Sequence, residues 1–384
     1  SGLFALTALL LMVGHLQGVG GRRGQVLAGA ACLCALLCKP VAVCVILMAG
    51  AVGWLILRTP PRRLATALAP WALMAAPLLV VTSRSQGRLT MLYESPALLR
   101  PLIALDSLGF YLGKLLLPLD ISPAYGRSAR AVIDSGQVYW TWLPGALFLV
   151  GAVLLRRRLP ALLPAASLLI SGVVLVSGLM PFAAQDNTTV YDRYLYLAML
   201  GPALALGWWV ARTRQVAVVA AVAAVALLAL GVKSGAQTRW WRDDTTLWSA
   251  TLERRPESPV ALINLGFASN QRGDKARAIA LYRQAVKAAP RDPQARNNLG
   301  AMLAEQGRLD LALVEFQASL VADPDNADAH HNMGRLLLKR GKYAQAEGHL
   351  KRVLARSPRH LEAALDLGEV YLGANRKDLC VSYM

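Results

Sequence analysis

The pattern of hydrophobic and polar positions divides the chain into two parts. Long apolar runs dominate up to about residue 234, and beyond it the sequence turns polar and rich in helix-forming residues. A membrane-spanning helix needs about 20 apolar residues, within a range of about 17–25. The candidate spans are 2–18, 25–40, 41–57, 64–82, 139–155, 161–182, 194–211 and 215–233. The pattern therefore predicts an all-α fold with a polytopic transmembrane domain over residues 1–234.

Clusters of arginine between the apolar runs indicate which loops are cytoplasmic. These clusters are Arg22-Arg23, Arg62-Arg63, Arg156–Arg158, and Arg212 with Arg214. If all four are cytoplasmic, residues 83–138 form one extracytoplasmic segment, and everything after residue 234 is extracytoplasmic too. The segment 101–119, which carries Asp106 and Lys114, then makes no single crossing of the membrane. It is re-entrant, or it lies in the membrane interface.

Lys39 and Pro40 interrupt the apolar stretch 25–57. Proline removes a backbone donor and disfavours helix at the residue before it. The pattern predicts two spans that meet at an extracytoplasmic hairpin with Lys39 at its tip. The alternatives are a snorkelling lysine without a function and a single kinked helix that places Lys39 inside the membrane.

The second part of the chain repeats every 34 residues. The period is carried by Gly266, Gly300, Gly334 and Gly368, by Pro256, Pro290, Pro324 and Pro358, by Ala278, Ala312 and Ala346, and by Asn264, Asn298 and Asn332. Such a period is typical of tetratricopeptide repeats, each a pair of antiparallel helices. We predict an α-solenoid with these parts: a linker and half repeat at 235–258, full repeats at 259–292, 293–326 and 327–360, and a partial repeat at 361–384.

Particular side chains are assigned to the packing and to the groove of this solenoid. Tyr282, Phe316 and Leu350 are predicted to fill the space between repeats, with Trp248 at the bulky position of the half repeat. The first helix of each repeat faces a concave groove, predicted to be lined by Ile263, Phe267, Asn270, Asn297, Glu305, His331, Arg335 and Lys339. Such grooves bind extended peptide or a partner protein, and the alternative is a solvated face.

Composition and residue placement argue against nucleic-acid binding and metal binding. The net charge of +18 is compatible with nucleic-acid binding, but the arginines lie beside apolar runs, so no nucleic-acid partner is predicted. Four cysteines lie in apolar sequence and are predicted to be small packing residues, not ligands: Cys32, Cys34, Cys38 and Cys44. Cys380 is solitary.

Adjacent His330 and His331 point about 100° apart on a helix, so they do not share a face. His330 is predicted to pack between helices, and no metal site is predicted. The chain begins at Ser1 inside an apolar run without signal-peptide features, and we expect that N-terminal sequence is missing.

Several local stretches resemble one family. They are ALLCKPVAV, FYLGKLLLPLDISPAYG, GLMPF followed by DRYLYLAML, and RWWRDDTTLWSATLERRPESPVALINLG. With the repeats, they make nearly the whole chain similar to the transmembrane and tetratricopeptide O-mannosyltransferases and their bacterial relatives, which belong to the GT-C class of glycosyltransferases. The chain departs from the family at Ala198, where the family has proline, and at Cys38, where it has serine. The class carries its catalytic acid in the first extracytoplasmic loop, upstream of this chain, so the resemblance implies an inactive fragment.

The resemblance implies transfer of a sugar from a polyprenyl-phosphate monosaccharide to a polypeptide hydroxyl that the repeats present. In the class, a carboxylate deprotonates the acceptor or polarises it with a divalent metal, and a fixed cation stabilises the leaving phosphate. Arg193 suits that role because guanidinium presents a fork of donors to phosphate. Asp192 orients the fork or binds the sugar, Tyr194 and Tyr196 have rings suited to the membrane interface, and Lys39 is a second phosphate-binding candidate. The alternative for this cluster is an interfacial anchor with an ordinary ion pair.

Two further hypotheses fit the same sequence. The first is a non-enzymatic scaffold, anchored in membrane lipid, that displays the repeats for assembly of envelope or secretion complexes. The second is a lipid-linked sugar polymerase or ligase that acts on glycans. The Ala-, Leu- and Arg-rich composition favours a bacterial inner membrane with the repeats in the periplasm, and the alternative is the endoplasmic reticulum membrane with luminal repeats.

Overall fold

The chain folds into helices and turns. The computed structural model describes residues 1–86, 95–118, 122, 125, 127–179, 189–190 and 195–376, and these contain no β-strand. They form two compact units, Ser1–Gly231 and Val232–Met384. Each unit is described separately below.

The first unit is built from short and medium apolar helices. They are α1 (Gly2–Leu16), α2 (Gly21–Cys38), α3 (Cys44–Ala51), α4 (Pro61–Gln86), α5 (Arg100–Leu116), α6 (Ala129–Asp134), α7 (Leu143–Leu154), α8 (Leu162–Val173), α9 (Leu195–Ala198), α10 (Leu200–Val210) and α11 (Val216–Thr238), which continues into the second unit. Single turns of other helix types lengthen α3, α7 and α8. Small buried side chains such as Ala5, Ala8, Ala28 and Ala35 let α1 and α2 pack closely.

Within the described residues, the helices differ in length from the predicted spans, some longer and some shorter. Three helical segments are long and apolar enough to cross a membrane, namely 61–82, 137–157 and 216–242, and four shorter apolar ones are 2–16, 40–56, 162–176 and 195–210. The chain reverses between α1 and α2 in a turn where Gly18 and Gly20 adopt φ of 88° and 84°.

At Lys39 the chain leaves the helix. α2 ends at Cys38, and Lys39 has an extended backbone with φ −156° and ψ 118° before the turn that begins at Pro40. Two helices therefore meet at Lys39, and the alternative of one kinked helix is wrong. Pro40 favours the break, because its ring disfavours helical backbone at the preceding residue.

The cysteines separate into two pairs. Cys32 and Cys44 are buried, whereas Cys34 and Cys38 are exposed. The structure therefore shows the predicted packing role for Cys32 and Cys44, whereas Cys34 and Cys38 lie on an exposed side of α2. Cys380 lies outside the described residues.

The second unit is a helical solenoid with one continuous core. Its helices are α12 (Asp244–Arg254), α13 (Pro259–Gln271), α14 (Lys275–Ala288), α15 (Pro293–Glu305), α16 (Leu309–Ala322), α17 (Ala327–Lys339), α18 (Tyr343–Arg356) and α19 (Leu361–Gly373). They pair as α13 with α14, α15 with α16 and α17 with α18. Trp248 of α12 packs against the core that these pairs share, as predicted.

A large side chain closes the space between the two helices of each repeat. The Phe316 ring lies on Gly300 so closely that a Cβ added there would be 2.8 Å from Cδ1. Tyr282 on Gly266 and Leu350 on Gly334 are equivalent. The prediction that these side chains fill the space between repeats is corrected: they seal the helix pair of their own repeat.

The first helix of each repeat begins at a capping residue, and these residues also recur every 34 positions. Ser258, Asp292, Asn326 and His360 each accept a hydrogen bond from the backbone N–H three residues later. Because the first N–H groups of a helix have no partner within it, such caps stabilise the start of the helix.

Candidate functional site

The first helices of successive repeats lie side by side and are joined by polar contacts. Asn332 on α17 donates from Nδ2 to Oδ1 of Asn297 on α15, at 3.0 Å. His331 on α17 lies with Nε2 2.8 Å from Oδ2 of Asp366 on α19. These two contacts fix the spacing of α15, α17 and α19, the first helices of successive repeats, which form one face of the solenoid.

Three of the residues predicted to line the groove are in fact interior. Ile263, Asn297 and His331 are 4%, 6% and 7% exposed. They occupy equivalent positions of the repeat, and the stacking of the first helices covers that position. They therefore hold the repeats together and offer little surface to a ligand.

The other predicted groove residues remain at the surface. Phe267 is 52% exposed, the Arg335 side chain is 53% exposed, and Lys339 is exposed while Asn270 is half-buried. Glu305 is exposed but engaged, because its carboxylate lies 2.8 Å from Lys275 Nζ. The face therefore presents an aromatic ring in the first repeat and two cations in the third.

Sequence reasoning missed two apolar residues of the same face. Leu365 and Leu372 of α19 are each 50% exposed. Leu365 follows His331 by 34 positions, and Leu372 follows Leu338 by 34. The repeat period was the signal that could have found them, had the groove been extended into the partial repeat.

Histidine side chains connect the two helices of the third repeat, α17 and α18. His330 is buried, with Nδ1 2.8 Å from Nδ1 of His349 and Nε2 2.9 Å from the carbonyl oxygen of Pro324. Burial, helped by the nearby positive charges of His330 and Arg352, lowers the pKa of His349 to about 4. His330 therefore packs between α17 and α18, and its neighbour His331 faces Asp366. Within the described ranges, no group of three or more His, Cys, Asp or Glu side chains is placed to hold a metal ion.

The predicted donor-phosphate cluster is only partly described. Arg193, Asp192 and Tyr194 lie outside the described residues. Lys39 is exposed at the end of α2, and Tyr196 is 80% exposed on α9. No hydrogen bond or ion pair in the described part of the chain joins these two side chains.

A buried ion pair that the sequence did not predict lies in the first unit. Asp106 of α5 is 1% exposed and pairs with Arg127, whose Nη1 also reaches Oε1 of Gln137 at 3.5 Å. Thr189 fixes the backbone there by donating N–H and hydroxyl hydrogen bonds to the Arg127 carbonyl oxygen, at 2.8 and 2.9 Å. Asp106 Oδ2 and Arg127 Nε are buried without a hydrogen-bond partner in the structure as described.

These geometries define the second unit as a helical-repeat solenoid, a fold suited to protein–protein interaction. Tetratricopeptide-repeat models match residues 246–293, 270–327 and 331–379, and a second such model matches residues 303–354. The C-terminal part of the chain therefore consists of tetratricopeptide repeats, as the 34-residue period predicted. No curated protein sequence matches the chain.

The solved structures with which the chain shares similarity include proteins named as tetratricopeptide-repeat proteins. MamA 41-end from Desulfovibrio magneticus RS-1 is 19% identical, with a TM-score of 0.33, and the match covers 36% of this chain and 78% of that one. YrrB, a TPR protein with an unusual peptide-binding site, is 18% identical, with a TM-score of 0.32 and coverage of 36% and 72%. The first TPR of Spaghetti (RPAP3), bound to an HSP90 peptide, is 19% identical, with a TM-score of 0.30 and coverage of 30% and 93%.

Proposed function

We propose that the protein is a membrane-anchored scaffold whose tetratricopeptide face binds an extended polypeptide segment. The observation that carries the proposal is the exposed face of the first helices, with Phe267 at one end and Arg335 and Lys339 two repeats away. Aromatic side chains and arginine are enriched at interaction surfaces. The three span-length apolar helices support anchoring, in a bacterial inner membrane with the repeats in the periplasm.

The chemistry of this face selects the segment. We expect an apolar side chain against Phe267 and acidic side chains where the segment crosses Arg335 and Lys339. The Arg335 guanidinium can make such contacts because its side chain is 53% exposed and its ion pair with Asp366 is loose, with Nε 3.8 Å from Oδ2. Glu305, held by Lys275, lies between them and disfavours an acidic residue at the middle of the segment.

Selection of peptides from a random library by the full chain in nanodiscs tests this function. The expected result is enrichment of segments with an apolar and an acidic end, and about tenfold weaker binding, roughly 1.4 kcal/mol, for the Arg335→Glu variant. Arg352→Glu is the matched control, because Arg352 is an exposed arginine on the second helix of the same repeat. Equal loss in both variants, or no enrichment at all, would contradict the proposal.

A second candidate function is sugar transfer from a polyprenyl-phosphate donor to a polypeptide hydroxyl, as the resemblance implies. One observation favours it: Asp106 keeps a carboxylate oxygen buried and unpartnered beside Arg127. A buried polar atom without a partner is costly and often belongs to a functional site. The transfer assay uses the full-length protein, and loss of transfer on Asp106→Asn at unchanged folding is the result that supports this function.

A further inference from the structure

The segment Arg239–Arg242 connects a long apolar helix to the solenoid. Residues 216–242 are continuously helical, long and apolar enough to cross a membrane, and none of the apolar window is buried in the protein. The last turn reads Arg-Trp-Trp-Arg and ends where Asp243 becomes extended, with φ −155° and ψ 164°. An apolar helix without protein cover that ends in tryptophan and arginine has the composition of a membrane–water boundary.

The two tryptophans in this turn have different surroundings. The guanidinium carbon of Arg254 lies 3.9 Å from the centre of the Trp240 ring, and the Thr246 hydroxyl donates to the Trp240 carbonyl oxygen at 3.2 Å. Trp240 is thus held against α12. Trp241 is 63% exposed, because neighbouring side chains on a helix point in different directions.

The turn is also fixed at its other end. Asp243 and Thr246 form a capping box, in which Thr246 N–H donates to Asp243 Oδ1 at 2.9 Å and Asp243 N–H donates to the Thr246 hydroxyl at 3.3 Å. Arg272 of α13 lies 3.7 Å from the same carboxylate. Trp241 therefore stands on a structured turn, and its exposure does not come from a loose end of the chain.

We infer that Arg239–Arg242 is a lipid-interface collar. Trp241 lies in the headgroup and carbonyl layer of the bilayer, the guanidinium groups of Arg239 and Arg242 bind lipid phosphate, and Trp240 is retained by the solenoid through Arg254. Arginine presents several donors to phosphate oxygens, and the tryptophan ring has an apolar body with one polar N–H. The inference rests on the proposed anchoring of the helix that ends in this turn.

A partner protein or a second copy of this chain is a less suitable occupant. The exposed surface continues directly from an uncovered apolar helix of span length, so the layer that covers the helix also reaches the turn. Two copies that met at this turn would bring Arg239 and Arg242 against their own equivalents. Repulsion between like charges disfavours that arrangement.

Quenching of tryptophan fluorescence by brominated lipids tests the collar in the intact chain. The chain and its Trp241→Phe and Trp240→Phe variants are reconstituted into nanodiscs whose phosphatidylcholine carries bromine near the top of the acyl chain. Trp241→Phe is expected to lose one tryptophan's share of the quenchable emission, and Trp240→Phe to retain all of it. Phenylalanine is a conservative replacement, and amide exchange of α12 checks that each variant is folded.

Three other outcomes overturn the inference in distinguishable ways. Equal losses in the two variants would remove the division of roles between Trp240 and Trp241. Unchanged quenching in both variants, in a chain that resists carbonate extraction, would overturn the collar and leave the anchoring intact. A chain that carbonate extracts from the bilayer would overturn the anchoring in the proposed function and the collar with it.

Discussion

His330 and His349 face each other through their Nδ1 atoms at 2.8 Å, although they lie on different helices of the third repeat. Because His330 Nε2 lies 2.9 Å from the Pro324 carbonyl oxygen, Nε2 carries the proton when His330 is neutral. His330 Nδ1 is then the acceptor, and His349 Nδ1–H is the donor. A proton added to His349 Nε2 leaves this hydrogen bond in place but puts a charge on a partly buried ring.

This arrangement makes the stability of the third repeat depend on pH. The pKa of His349 falls from 6.5 to about 4 in the folded chain, so the unfolded state binds this proton first as pH decreases. The contribution of neutral His349 to the free energy of unfolding is present in full above pH 6.5 and is lost as pH falls through 4. Because His349 is only partly buried, we expect a loss of about 2 kcal/mol, measured by amide exchange of α17 and α18 in the intact chain.

His349→Gln supplies the control for this pH dependence. Glutamine offers a hydrogen-bonding side chain of similar reach but does not titrate in this range. The variant is expected to show a flatter pH profile between 6.5 and 4. A profile as steep as that of the unchanged protein would assign the proton uptake to other groups.

The helices of the solenoid were predictable because one period carries several independent signals. Gly300, Ala312 and Pro324 each belong to a series that recurs every 34 residues. The glycine and the alanine mark where the two helices of a repeat cross, and the proline marks where the second helix ends. The caps at Asp292 and Asn326 follow this step too. Their side chains accept local hydrogen bonds, which a sequence pattern can indicate without knowledge of the fold.

The depth of the groove residues was not predictable from that period. The period places Ile263, Asn297 and His331 at one position, but burial depends on how closely successive repeats stack. The contacts from Asn297 to Asn332 and from His331 to Asp366 join different repeats. In the same way, the pairing of Asp106 with Arg127 depends on how the chain returns between them, which no local pattern records.

Alanine in place of Gly300 is expected to destabilise the second repeat. The added Cβ would lie 2.8 Å from two atoms of the Phe316 ring and 3.3 Å from the Ala312 carbonyl oxygen. Overpacking of this kind costs about 1–3 kcal/mol. Amide exchange of α15 and α16 measures the loss.

Gly348→Ala is the matched control for this overpacking. Gly348 lies inside α18, and a Cβ there meets no atom within 4 Å. Alanine has the better helix propensity, so a gain of about 0.5–1 kcal/mol is expected. If both alanine variants changed stability in the same direction, contact with Phe316 would not explain the need for glycine at position 300.

The cap at Asp292 is expected to work better without its charge. Burial raises the pKa of Asp292, against the lowering effect of its hydrogen bonds from the Ala295 and Gln294 N–H groups. Asp292→Asn keeps the acceptor oxygen and removes the buried charge, as Asn326 does in the next repeat. We expect equal or greater stability for this variant, and a loss of about 1 kcal/mol for Asp292→Ala.

The pH dependence of this cap has a defined sign. A raised folded-state pKa means that stability falls as pH rises through that pKa, because the unfolded carboxyl ionises first. The Asp292→Asn variant should not show this component. If it were as destabilised as Asp292→Ala, the carboxylate charge itself would be what stabilises the start of α15.

Removing one partner of the Asp106–Arg127 pair distinguishes a structural from a catalytic role. Arg127→Met leaves a buried carboxylate uncompensated and should destabilise the first unit by about 3–5 kcal/mol. Asp106→Leu combined with Arg127→Met removes both charges and should restore most of that stability, as seen in amide exchange of α5. If the pair is structural, the double variant of the full-length protein should behave as the unchanged protein in peptide binding and in sugar transfer. Loss of sugar transfer in a double variant of restored stability would instead place Asp106 or Arg127 in an active site.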